Sequence, residues 1–236
     1  MSAELREKAL AVGERRSSMA IYRIVRGTVR RLLFPFFRVV GHNVEVLDIP
    51  GPVILAPVHR SNLDSVLLAS LSSRRIRALG KESLFTTPGV SWICAALGAI
   101  PVRRGEADRD ALAAARMLLD RGESMIVFPE GTRQSGAEIA ELFDGAAWLS
   151  ARTGARVVPI GIAGTEEALP SNSRFPKRGQ VRIRVGDPIP APTPLDGQSR
   201  VSRDQLREFT KALRDTLQNL QDDARAEAGL PFRTGL

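Results

Sequence analysis

His59-Arg60-Ser61-Asn62-Leu63-Asp64 places one of only two histidines in this chain five positions before a carboxylate. A neutral imidazole in that position can take a proton from a hydroxyl, while the carboxylate fixes its tautomer and stabilises the imidazolium that forms. The apolar run at 52–58, PVILAPV, predicts a buried strand that delivers the histidine into a loop. Ser61 and Asp64 also fit a helix start, with Ser61 as N-cap and Asp64 at the third helical position. That second assignment explains Ser61 and leaves His59 without a role.

Two further clusters end predicted strands, where α/β folds place ligands. In Phe128-Pro129-Glu130-Gly131-Thr132-Arg133, Gly131 permits close backbone approach, Thr132 offers a hydroxyl and Arg133 can fork onto a phosphate. A turn explains the proline and glycine but not the adjacent carboxylate and arginine. The stretch from Gly98 to Arg104, GAIPVRR, closes on paired arginines.

In this order and spacing, HRSNLD at 59–64, GAIPVRR at 98–104, FPEGTR at 128–133 and VVPI at 157–160 resemble the blocks of the glycerolipid acyltransferase family, the lysophosphatidate acyltransferases among them. The resemblance covers about 41–185. It implies His59 as general base and Asp64 as its orienting partner. It also implies acceptor phosphate binding by Arg104, Glu130, Gly131, Thr132 and Arg133, with Lys81 in a looser correspondence, and places Pro159 near the acyl donor. Arg103 and the Ile100-Pro101 pair depart from the commoner family pattern. The implied reaction acylates the free hydroxyl of lysophosphatidate, 1-acyl-glycerol-3-phosphate, to phosphatidate; glycerol-3-phosphate and other lysophospholipids are the alternative acceptors. Acyl-CoA is the expected co-substrate, with no further cofactor. Backbone amides after His59 are candidate donors to the tetrahedral oxyanion. A serine hydrolase using Ser61 or Ser65 is disfavoured because no GxSxG elbow occurs.

A formal net charge of +8 calls for an anionic partner: a membrane surface, a phosphorylated substrate or nucleic acid. No RNP-type strand with interleaved aromatics and no basic recognition helix is present, so nucleic acid is not expected. The single cysteine, Cys94, lies in an apolar run that predicts a buried, inert thiol, and a reducing cytoplasm follows. Two histidines and one cysteine without HExxH or CxxC spacing predict no metal site.

The elements that must position these residues alternate between strand and helix, which predicts an α/β fold: a mixed, largely parallel sheet flanked by helices. Strands are expected at 44–47, 53–56, 76–80, 99–102, 124–128 and 156–162, and a half-exposed edge strand at 180–185. Helices are expected at 62–72, within 82–97, at 107–121, at 144–152 and at 203–224. The last aligns Leu206, Phe209, Leu213, Leu217 and Leu220 toward the core.

Residues 1–40 read as an N-terminal polar segment followed by an amphipathic helical membrane-binding extension, 41–225 as the α/β domain and 226–236 as a C-terminal tail, frayed from Gly229. At helical spacing Arg23, Arg26 and Arg30 share one face, with Ile21, Val25, Val29, Leu32, Phe36 and Val39 opposite and Phe34, Phe36 and Phe37 crowded near the basic ridge. Five arginines in 21–40 disfavour a span and favour a helix lying in the interface, kinked at Pro35. The competing explanation packs the apolar stripe on the protein's own core. The expected location is the cytoplasmic face of the cell membrane, peripheral or monotopic.

Overall fold

The computed structural model describes residues 2–102, 109–170, 172–173, 175–197 and 199–232. In chain order these form α1 (Ser2–Gly13), α2 (Arg16–Thr28), a π turn (Val29–Leu33), α3 (Phe34–Phe36), β1 (Val40–His42), a 3-10 turn (Val44–Asp48), β2 (Val53–Pro57), α4 (Leu63–Leu71), β3 (Ile76–Lys81), a second 3-10 turn (Glu82–Phe85), α5 (Pro88–Ala96), β4 (Ala99–Val102), α6 (Arg109–Asp120), β5 (Ser124–Ile126), α7 (Gly145–Thr153), β6 (Arg156–Ala163), α8 (Thr165–Ala168), β7 (Arg182–Val185) and α9 (Arg203–Glu227).

One seven-stranded sheet, flanked by helices, organises them in the order β1-β7-β6-β2-β5-β3-β4. The strands β2 to β6 are mutually parallel, whereas β7 pairs antiparallel with β6 and β1 runs parallel to β7. The C-terminal ends of five strands therefore share one edge. β2, covered on both faces, is buried at every position, as its continuous apolar sequence requires. α9 lies so close to β6 that a Cβ at Gly161 would meet the backbone of Leu220.

Several sequence expectations are corrected. The apolar residues Val44 to Leu47 form a 3-10 turn, because Asn43 adopts a left-handed φ of 58° and ends β1 after three residues. β7 alternates buried and half-buried residues as expected, yet it is an interior strand, since the short β1 pairs on its outer side. On α9 only Leu213 and Leu217 of the predicted stripe are fully buried. Thr210, Gln218 and Gln221 are buried beside them, and the two glutamines bond to backbone groups of the 137–139 loop and β6. The tail is tied at its start: the Leu230 N–H donates to Arg225 O, and the Arg225 guanidinium reaches Pro231 O. Cys94 is half-buried, and burial pushes its thiol up, which suits an unreactive side chain.

The N-terminal stripe divides: Val25, Val29 and Val39 pack on the main core, whereas Leu32 and Phe36 face outward. Tyr22, Val29 and Phe37 are buried, Val25, Leu33 and Phe34 pack against the main core, and Arg26 donates to the carbonyls of Ser72 and Ser73. Phe37 and Arg26 are thus withdrawn from any membrane-facing set. Arg23, Arg30, Ile24, Leu32 and Phe36 remain exposed. Ahead of Pro35, which has no N–H to donate, the turn is π-helical, and the backbone stays right-handed helical through Leu33 and Phe34. α1, within a segment read only as polar, packs Ala9 against Phe85 and Ala95. Among the described residues no helix is long and apolar enough to cross a membrane.

At the far end of β3 from its Lys81 terminus, Arg77 is fully buried and pairs with Glu123 at 2.6 Å, with Arg75 on the same carboxylate. Burial pushes the Glu123 carboxyl up, but the Arg77 hydrogen bond and the two guanidinium charges outweigh it and hold the group below its ordinary value. A depressed folded pKa contributes stability above the unfolded value and loses it as pH falls through the folded one. Glu123→Gln is therefore expected to cost about 3 kcal/mol at neutral pH by stranding a buried guanidinium and to flatten the acid limb of stability. Urea titrations across pH measure both, and an unchanged acid limb would refute the assignment.

Candidate active site

β2 carries the histidine to the edge where five strands end. The Val58 N–H bonds to Ile160 O of β6 at 3.0 Å and Val127 N–H to Leu55 O at 2.9 Å, so the strand is held on both sides up to the loop. His59 follows directly and is 4% exposed. Its Nδ1 lies 2.9 Å from Asp64 Oδ2, and its ring stacks on Phe128 at 3.8 Å between centroids. A carboxylate only accepts, so in the neutral ring the proton sits on Nδ1 and Nε2 keeps its lone pair. That is the tautomer a general base needs.

Asp64 is fully buried, and its Oδ2 also accepts the N–H groups of Arg60 and Ser61, both at 2.7 Å. Two expectations change with this. The helix N-cap is Asn62, without a side-chain bond; Ser61, one residue earlier, accepts the Leu63 N–H at 3.4 Å and donates its hydroxyl to Leu169 O. The amides of Arg60 and Ser61 hold the carboxylate and are not free to receive an oxyanion; the His59 N–H is likewise taken, by Glu130 at 2.8 Å.

Glu130 was expected to contact an acceptor. Instead its side chain is buried against the His59 loop, with Oε2 accepting from His59 N–H and from Arg60 Nη1, and Oε1 accepting from Arg60 and from Ala140 N–H. Arg60 completes its guanidinium bonds on the carbonyls of His59, Gly136 and Glu138. The Gln134 N–H closes the set on His59 O at 2.8 Å. Every polar group of the His59 backbone is therefore fixed by the loop after β5. Gly131 is required by its φ of 71° and by Phe143, whose ring would lie 2.8 Å from a Cβ there.

Thr132 and Arg133 line a cavity of about 340 Å³ next to Arg60, together with Gln134, Ser135, Glu166 and Pro170. Lys81 is exposed at the end of β3, on the edge that carries His59. Pro159 is buried within β6 opposite Ala56, and its carbonyl accepts from Gly186 N–H. Arg104 and its neighbour Arg103 lie outside the described residues. Arg60 was not singled out from sequence: its position inside the hexapeptide was visible, but its partner, 70 residues away, was not.

A family model for acyltransferases matches residues 38–163, more than half of the chain, with the His59 and Glu130 loops inside it. The chain belongs to the acyltransferase family. Within that family this acyltransferase chain is similar to the chloroplast 1-acyl-sn-glycerol-3-phosphate acyltransferases of Arabidopsis thaliana, 31% identical over 66% of this chain and 45% of the relative, and of Brassica napus, 30% identical over 66% and 46%. The chain thus spans less than half the length of these curated relatives. The crystal structure of the 1-acyl-sn-glycerophosphate acyltransferase from Thermotoga maritima superimposes with a TM-score of 0.69 at 25% identity, covering 86% of this chain and 81% of that one.

Proposed function

We propose that this acyltransferase transfers an acyl group from acyl-CoA to the free hydroxyl of 1-acyl-glycerol-3-phosphate, forming phosphatidate. The observation that carries the reading is the buried His59–Asp64 pair, with Nδ1 committed to the carboxylate and Nε2 left as the base. As the acceptor oxygen attacks the thioester carbonyl, its proton passes to Nε2 and Asp64 stabilises the imidazolium. The tetrahedral intermediate then collapses, the C–S bond breaks and coenzyme A leaves as thiolate, which takes up the proton. The activities for which the relatives are named favour a lysophosphatidate acceptor.

Arg133, at the rim of the cavity beside Arg60, is assigned to the acceptor phosphate, with Thr132, Lys81 and Arg104 as further candidates. A guanidinium there positions the hydroxyl rather than moving its proton. Both substrates are amphiphiles, so the protein works as a peripheral protein at a membrane, on its cytoplasmic face. The exposed Arg23, Arg30 and Phe36 remain available to it.

Purified protein supplied with palmitoyl-CoA is expected to release free thiol with 1-acyl-glycerol-3-phosphate and more slowly with glycerol-3-phosphate. Thiol release with neither acceptor would exclude the reaction. Arg133→Met is expected to raise KM for the phosphorylated acceptor roughly tenfold with a smaller change in kcat, the value of one lost charge-assisted contact. An unchanged KM would remove Arg133 from the acceptor site.

A further inference from the structure

The stretch from Leu84 to Val102 contains no charged residue, in a chain one quarter of whose residues are charged. It is not simply core. Leu84, Val90, Trp92 and Ile93 are 44%, 42%, 43% and 50% exposed, while the opposite side of α5 buries Ala95 and Ala96, with Phe85 of the preceding turn packed on the same cluster. Four large apolar side chains exposed within ten residues form a patch that water does not favour.

Its place in the fold is informative. The turn Glu82–Phe85 leaves β3 at its C-terminal end, so the patch begins on the edge that carries His59, one strand removed from β2. Cations lie on its flank, beside an α1 that also packs on α5 and exposes Glu4, Glu7 and Lys8. Lys81 is exposed immediately before the turn, and α2, which packs on α5, presents Arg23 and Ile24 outward. The neighbouring carboxylate, Glu82, is half-buried. An apolar face with an indole at its margin and cations beside it matches an anionic lipid interface, where tryptophan sits at headgroup depth and basic residues meet phosphates.

We propose that the outward face of α5 and the turn before it is a membrane-inserting surface, distinct from the N-terminal helix, that presents the His59 edge to the bilayer. This rests on the acyl-transfer reading for its purpose but not for its test. Val25, Val29 and Val39 of the N-terminal apolar stripe pack on the protein's own core, while Ile24, Leu32 and Phe36 are exposed there, so α5 adds a second free apolar surface to that one.

Trp92 and Trp148 are the two tryptophans, so Trp148→Phe leaves Trp92 as a sole reporter in the intact chain. Vesicles of phosphatidylcholine and phosphatidylglycerol are expected to shift its emission to the blue, and brominated acyl chains to quench it. The double variant Trp92→Glu/Ile93→Glu is expected to lower vesicle co-sedimentation about tenfold. It should keep parental thiol release on a short-chain lysophosphatidate dissolved as monomer. Emission unmoved by vesicles overturns the proposal, as does parental co-sedimentation of the double variant, or a dimer in sedimentation equilibrium that the variant dissociates without any effect on lipid binding. Absence of thiol release from every form counts against the acyl-transfer reading alone, and the fluorescence result stands regardless.

Discussion

Replacing His59 with alanine is expected to lower turnover by about a hundred- to ten-thousandfold, the range over which a positioned general base contributes. His59 Nε2 is the acceptor this geometry leaves open, because Nδ1 is committed to Asp64 at 2.9 Å. Asp64→Asn probes the same unit differently. The amide keeps the size of the side chain but cannot accept from the ring and from two backbone N–H groups as a carboxylate does. It should therefore lose turnover on a comparable scale and some stability as well. Initial rates of thiol release, with circular dichroism as a fold control, separate the two effects. Turnover of His59→Ala within tenfold of the parent would remove the base.

Glu130→Gln is the second large effect, and it falls on stability and geometry together. The variant leaves the Arg60 guanidinium, whose side chain is 1% exposed, facing a neutral amide, and it sets that amide's own N–H against either Arg60 or the His59 N–H. Breaking one side of a buried ion pair costs about 3–5 kcal/mol, measurable as a lowered urea midpoint. Turnover should fall through loss of His59 placement, with KM for the phosphorylated acceptor near the parental value, because a carboxylate buried against Arg60 is not facing a phosphate. Arg60→Met/Glu130→Gln should be less destabilised than the sum of its single variants, since each removes the other's stranded partner. A raised KM with unaltered stability would return Glu130 to acceptor binding.

The alternation of strand and helix was legible in local pattern, because burial on both faces imposes continuous apolar runs such as 53–57 and because helices repeat at their own period. β7 was visible as a strand but not as an interior one. Its position depends on the three residues of β1, too short to announce themselves, pairing on its far side. The N-terminal stripe was equally visible, and its destination was not. An amphipathic helix carries the same signature whether it meets lipid or its own core, and only the packing decides, turning Val25, Val29 and Val39 inward and leaving Leu32 and Phe36 exposed.

At the site, the sequence by itself determined the chemistry on offer: a histidine and an aspartate five residues apart at the end of a buried strand, with arginine-bearing loops at two other strand ends. That much is local, since a strand leading into a helix start brings positions 59 and 64 together without help from elsewhere. Tertiary structure decided which polar groups were already engaged. Arg60 and Glu130 meet across 70 residues, and the amides of Arg60 and Ser61 turn inward to Asp64, so three groups that sequence offered to substrate serve to hold His59 in place. The physical reason is that buried charges and amides must be paired, and their partners are supplied by the fold rather than by neighbours along the chain.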